Sequence, residues 1–160
     1  MHGQSLPMVG VVISAHMLGM FALSPMSGWL ADWRGGASAI SFGVGTLATA
    51  SVVAAVADPA DTVGLSFGVF LLGLGWNLCW VGGSSLLARQ GAAQVEGDAD
   101  AVVWTTSTAA SLLSGGLLAA GGYSLVVGVG GAVALVALLP LMVMRVLAKR
   151  DWLRVEEIQA

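Results

Sequence analysis

The sequence predicts an all-α polytopic membrane protein. Of its 160 residues, 57% are hydrophobic and only 9% are charged, whereas a soluble domain carries about 25% charged residues. Five apolar runs each provide the roughly 20 residues that a transmembrane helix needs. Each run is too long for a strand, and a helix satisfies its own backbone groups in lipid. We therefore expect residues 1–160 to form one transmembrane domain of five helices.

The connectors between the apolar runs predict the orientation in the membrane. The expected spans A to E cover about 8–31, 37–57, 63–88, 101–122 and 123–147, and a tail follows at 148–160. With these spans, every Lys and Arg falls on one side of the membrane, namely Arg34, Arg89, Arg145, Lys149, Arg150 and Arg154. The positive-inside rule makes that side cytoplasmic. We expect a multi-pass protein of the plasma membrane with its N-terminus outside and its C-terminus in the cytoplasm.

The composition disfavours several classes of function. One cysteine, Cys79, and two histidines give no zinc or iron–sulfur spacing, and no basic patch suggests nucleic-acid binding. A rhomboid-like protease needs a catalytic serine in a Gly-x-Ser-Gly motif, and the run Gly82–Ser85 lacks the last glycine of that motif. His2 and His16 also precede that serine instead of following it. We expect no enzyme activity, no metal, no cofactor and no nucleic-acid partner.

Span A carries polar groups on one face. His16, Met20, Ser24 and Ser27 share a helical face, and Pro25 should kink the helix near its cytoplasmic end. His16 is about eight residues into the span, or roughly 12 Å deep at 1.5 Å per residue. In span B, Ser41, Gly45 and Thr49 are in small-xxx-small register, which predicts a seam between helices.

Spans C and D contain the remaining polar candidates. Trp76, Asn77 and Trp80 lie deep in span C, with Asn77 roughly 21 Å from the outer end. An Asn in hydrocarbon needs a partner, so interhelical bonding and cavity lining both stay open for it. Trp104 begins span D near the cytoplasm, and Thr108 lies about one turn deeper. Span E is bland and should face lipid, with Pro140 as a kink. The candidate cavity wall is His16, Trp76, Asn77, Trp80, Trp104 and Thr108.

The connector between spans A and B has a distinctive spelling. The run Gly28-Trp29-Leu30-Ala31-Asp32-Trp33-Arg34-Gly35-Gly36 resembles the G-x-L-A-D-R-x-G-R-R loop of the major facilitator superfamily (MFS) of transporters. Gly28, Leu30, Ala31, Asp32 and Gly35 match, while Trp33 stands where the family has Arg, and Arg34 follows it. In that family the loop helps to hold one conformation. We expect Asp32 to do so by accepting hydrogen bonds from a neighbouring helix N-terminus.

The resemblance implies a place for the chain within a larger fold. MFS proteins have two six-helix halves, and the loop joins the second and third helices of a half. Here the loop joins the first and second spans, so the chain resembles a C-terminal half-bundle without its first helix, with spans A–E as helices eight to twelve. The eighth, tenth and eleventh helices of that family line the cavity. The polar residues of spans A, C and D follow this division.

The resulting expectation is part of a secondary transporter that moves a small solute by alternating access. The chain would then be a fragment or a truncated form, and its partners would be the solute, a coupling proton, the lipid bilayer, and either the missing N-terminal half or further copies of itself. The alternative is a small structural or assembly membrane protein without transport activity.

Overall fold

The computed structural model describes residues 6–58, 61–89 and 93–159, and for residues 93–94, 138 and 140–159 it describes the backbone alone. Every regular element in these ranges is a helix, which confirms the all-α prediction. The helices are α1 Leu6–Phe21, α2 Ser24–Arg34, α3 Gly36–Val56, α4 Thr62–Arg89 and α5 Ala93–Gln159. The expected position of the N-terminus and the side chains of the 148–160 tail lie outside the described part.

Four stretches of the described chain are long and apolar enough to cross a membrane. They are Leu6–Arg34, Gly36–Val56, Thr62–Arg89 and Val95–Ala137. The first joins α1 and α2 into one stretch, and the last is 43 residues long, about twice what one crossing needs. The polytopic membrane class is therefore confirmed, while the count of five spans depends on whether the last stretch crosses twice.

The last stretch has a break at Gly122. This glycine has φ 67° and ψ −164°, a non-helical conformation that favours glycine. Beyond it, the Tyr123 hydroxyl donates to the Ala54 carbonyl at 3.3 Å, and Gly131 lies against Ser51. Contacts with α3 thus move back along α3 as the chain advances, so the segment after Gly122 runs antiparallel to α3. The helix beyond it continues through Pro140 to Gln159.

Pro25 interrupts the first stretch as predicted. Ala22 and Leu23 form a turn between α1 and α2, and Pro25 occupies the first turn of α2. Proline has no backbone N–H to donate, and the start of a helix is where that loss costs least. The carbonyls at the end of α1 are left for other partners.

A single residue joins α2 to α3. Gly35 has φ 84° and ψ 154°, a conformation open almost only to glycine. The next residue, Gly36, approaches α4 so closely that an added Cβ would meet the Gly82 carbonyl and the Ser85 hydroxyl. The resemblance loop is therefore the end of one helix and a one-residue turn, not an extended connector.

Helix α4 lies at the centre of the bundle, packed against α1, α2 and α3. Glycines make these contacts close. A Cβ at Gly43 would lie 2.8 Å from the Gly75 carbonyl, and one at Gly73 would meet the His16 carbonyl. The face predicted as a seam for span B is not the face of α3 that meets α4. Gly45 has no neighbour within 4 Å, while the buried residues of α3 are Gly36, Ala39, Gly43, Val44 and Ala50.

Candidate functional site

A buried hydrogen-bond cluster joins α4 to the break between α1 and α2. The Asn77 side-chain amide donates to the Met20 carbonyl at 2.7 Å and to the Ser24 hydroxyl at 2.8 Å. The Ser27 hydroxyl donates to the Asn77 side-chain oxygen. Asn77 and Ser27 are only 3% and 2% exposed. Asn77 therefore provides hydrogen-bond partners for the backbone carbonyl and the two serine hydroxyls that lie at the break between α1 and α2.

His16 makes a second tie between the same two helices. Its Nδ1 donates to the Val69 carbonyl at 2.9 Å. The polar face predicted for span A thus turns toward α4, because His16, Met20, Ser24 and Ser27 all bond to it. The partners themselves were not predictable from spacing within span A.

Two tryptophans of α4 line a groove between α4 and the start of α5, and a third tryptophan lies next to one of them. Trp76 and Trp80 stack with ring centroids 5.2 Å apart and an interplanar angle of 12°, and Trp104 lies 6.3 Å from Trp80 at 60°. The groove beside Trp76 and Trp80 has a volume of about 390 Å³. Its other lining residues are Cys79, Val102, Val103, Thr106 and Ser107. Two of the six predicted cavity residues, Trp76 and Trp80, therefore line the groove, and a third, Trp104, contacts Trp80 from outside the lining.

The hydroxyl-bearing segment of α5 is exposed. Thr108 donates to the Trp104 carbonyl at 2.9 Å, and Ser111 donates to the Ser107 carbonyl at 2.9 Å. These bonds satisfy the hydroxyls within their own helix, as Ser and Thr commonly do in membrane helices. Thr108 lies one turn beyond Trp104 and outside the groove lining. The sequence interpretation missed Thr106 and Ser107 as groove residues, since only the contact with α4 distinguishes that face from the neighbouring one.

The residues of the resemblance loop lie at the end of α2 and the start of α3, an end that the charge pattern predicts to be cytoplasmic. Asp32 faces Arg89 of α4 at 4.0 Å, with the two side chains 82% and 62% exposed. This partner differs from the expected helix N-terminus, because Arg89 lies at the C-terminal end of α4. The Arg34 guanidinium sits 4.4 Å from the ring centroid of Trp33, which stacks on Trp29 at 5.1 Å. Arg34 therefore contacts the residue standing at the family's Arg position.

The other matching residues of this loop differ in their surroundings. Ala31 is buried, and Gly28 has open space where a Cβ would be. Leu30 lies between them on α2, and Gly35 forms the turn. No group of three or more His, Cys, Asp or Glu residues that could hold a metal ion occurs among the described residues.

Comparison with known proteins gives two curated relatives, both from Bacillus subtilis (strain 168). The uncharacterized MFS-type transporter YddS is 33% identical over 147 residues, and the uncharacterized MFS-type transporter YdeG is 35% identical over 147 residues. The matches cover 89% of this chain but only 33% and 34% of the relatives, so the chain spans about a third of their length. No protein-family model and no solved structure matches the chain.

Proposed function

The chain belongs to the major facilitator superfamily, and from this premise we propose that it forms part of a secondary transporter for a small solute. In this proposal the chain supplies helices eight to twelve, and the remainder of the transporter supplies the opposite wall of the path. The last apolar stretch crosses the plasma membrane twice, with Gly122 at the outer turn, which gives five spans, an outer N-terminus and a cytoplasmic C-terminus. Alternating access then moves the two walls against each other.

The observation that carries this proposal is the contrast between the two segments of α5. Residues 104–113, before Gly122, are all exposed and include Thr106, Ser107, Thr108 and Ser111. Exposed leucines also lie in this segment, at Leu112 and Leu113. After Gly122, the exposed residues described up to residue 139 are glycine, alanine or larger apolar and aromatic residues, and Ser124, next to the break, is the one exposed serine among them. An apolar surface suits lipid, whereas polar residues in membrane helices face a bundle interior or a water-filled cavity. The hydroxyl-bearing surface therefore suits a solute path.

The alternative, a structural or assembly protein, accounts for the close glycine contacts but not for this exposed polar surface. If a proton is coupled to transport, the residue that carries it belongs to the rest of the transporter in this proposal. In the described part, His16 is tied to a carbonyl, and the acidic residues Asp32, Asp58, Asp61, Glu96, Asp98 and Asp100 lie at or near helix ends or in connectors.

Cysteine accessibility tests the path without knowledge of the solute. In a Cys79→Ala background, the 160-residue chain is produced in bacterial membranes and treated with a charged, water-soluble thiol reagent. Ser111→Cys should be modified, because it would face water. Val136→Cys, whose native side chain is also well exposed, should not react, because it would face lipid. Equal reactivity at both positions, or none at Ser111→Cys, contradicts the proposed path.

Uptake measurements test the partial character of the chain. Purified and reconstituted alone, the chain should associate into dimers or larger forms and show no saturable uptake of a panel of small solutes, because one wall of the path is missing. Saturable uptake by the purified chain would show that it transports without the remaining helices.

A further inference from the structure

The tryptophan groove has the geometry of a site for a flat ring system. Trp76 and Trp80 line the groove from α4 with nearly parallel rings that stack on each other, and Trp104 of α5 lies against Trp80 at 60° from outside the lining. A ring that enters the groove can stack on Trp76 or Trp80, and offset stacking is one of the arrangements that aromatic pairs prefer. The volume of about 390 Å³ lies within the range of roughly 300–1,000 Å³ that small-molecule sites have.

The depth of these tryptophans separates them from membrane anchors. Trp80 lies about nine residues before the end of α4 at Arg89, or about 14 Å at 1.5 Å per residue. Tryptophans that anchor a membrane protein lie at the headgroup level. The pair Trp29 and Trp33, which stacks next to Arg34 at the end of α2, fits that role. Trp76 and Trp80 require a different reason for stacking beside an open groove.

The charge of the groove narrows the class of ligand. Its described lining contains no acidic and no basic side chain, so a small, strongly hydrated ion would lose its water without an ionic partner. Tryptophan ring faces attract cations and repel anions through their quadrupole. A cation whose charge is delocalised over a planar ring system keeps this attraction at a low desolvation cost.

We propose that the groove between α4 and α5 binds planar aromatic cations, and that these are the class of solute the transporter moves. The transport part rests on the proposed function, whereas the binding part concerns only residues of this chain. Thr106 and Ser107 at the groove wall add hydroxyl oxygens that can accept from a ring N–H. The groove should therefore rank ligands of one size by charge: cation first, neutral second, anion last.

Three tricyclic probes of matched size test this ranking. They are N-methylacridinium, neutral acridine at pH 8 and acridine-9-carboxylate. Binding to the chain in nanodiscs of phosphatidylcholine is measured by fluorescence polarisation, with empty nanodiscs subtracted. N-methylacridinium should bind about tenfold more tightly than acridine, the size of effect that a desolvated cation–π contact gives. Acridine-9-carboxylate should bind most weakly.

Matched tryptophan variants locate the binding. Trp80→Leu keeps an apolar side chain but removes the ring, and it should weaken N-methylacridinium about tenfold while weakening acridine less. Trp80→Phe should restore part of the preference for the cation. Trp29→Leu, which removes a stacked ring outside the groove, should leave both affinities unchanged. Thermal unfolding in detergent checks that each variant is folded.

The outcomes separate this inference from the proposed function. Equal affinity for N-methylacridinium and acridine, or an equal loss for both in Trp80→Leu, overturns the cation preference. No binding of any probe overturns the aromatic site itself. Neither result alters the cysteine accessibility of Ser111→Cys, which tests the solute path without a ligand.

Discussion

Replacement of Asn77 by alanine should destabilise the chain through the break between α1 and α2. The variant removes three hydrogen bonds, those to the Met20 carbonyl, the Ser24 hydroxyl and the Ser27 hydroxyl. Interhelical bonds in membranes contribute about 0.6 kcal/mol each on average, so three give about 2 kcal/mol. The Ser27 hydroxyl can turn to the Leu23 carbonyl, which already lies 3.3 Å away. The Met20 carbonyl lies at the end of α1 in a part-buried position, and a carbonyl left there without a partner adds about 1 kcal/mol or more.

The expected loss is therefore about 2–4 kcal/mol in the free energy of unfolding. It can be measured by SDS titration of the chain in bicelles, followed by circular dichroism. Ser66→Ala is the matched control on the same helix, because the Ser66 hydroxyl is buried and has no hydrogen-bond partner. Its removal should be neutral or slightly stabilising. A loss below about 0.5 kcal/mol for Asn77→Ala, or an equal loss in both variants, would refute the role assigned to the cluster.

Three further predictions follow from the packing and the charge pattern. Gly73→Ala should cost about 1–3 kcal/mol in the same titration, because its Cβ would meet backbone atoms of α1. Gly28→Ala should instead stabilise the chain by up to about 1 kcal/mol, since nothing lies within 4 Å of its added Cβ. Equal effects of the two variants would contradict the close glycine contact between α1 and α4. Asp32→Asn should change the free energy of unfolding by less than about 1 kcal/mol, because the ion pair of Asp32 with Arg89 is exposed. In the complete transporter, the same variant should change the transport rate and leave the solute affinity unchanged. A large loss of solute affinity would indicate that Asp32 binds the solute. In a cysteine-free background, an impermeant reagent added outside should label Asp61→Cys and not Gly97→Cys, and the reverse pattern would invert the topology.

The helices and the break at Pro25 could be predicted from the sequence because they depend on local properties. Apolar length determines where a helix can cross, and a missing N–H determines where it is interrupted. The partners of Asn77 could not be predicted, since they depend on how α1 and α4 are placed against each other. The sequence did indicate that an Asn in hydrocarbon needs a partner. Its role as a cavity residue stays a prediction, as do the roles of His16 and Thr108.

The seam of α3 shows why the packed face of a membrane helix is hard to predict. Lipid and neighbouring helices are both apolar, so hydrophobic periodicity does not tell a packed face from a lipid-facing one. Small residues are the remaining signal, and span B has them in two registers. The register through Gly45 was chosen, but the register through Gly36 and Gly43 is the one that meets α4. The groove was partly predicted for a different reason, because deep tryptophans are unusual wherever they point.

Helix α2 is a short helix with a turn at each end. It is 11 residues long, or about 16 Å, with the Ala22–Leu23 turn at one end and Gly35 at the other. Because the turn at Gly35 is a single residue, it is too short to absorb a displacement of α2. Any rotation of α2 about the Ala22–Leu23 turn must therefore also displace the start of α3. A longer and looser connector at Gly35 would uncouple the two helices while leaving both of them intact.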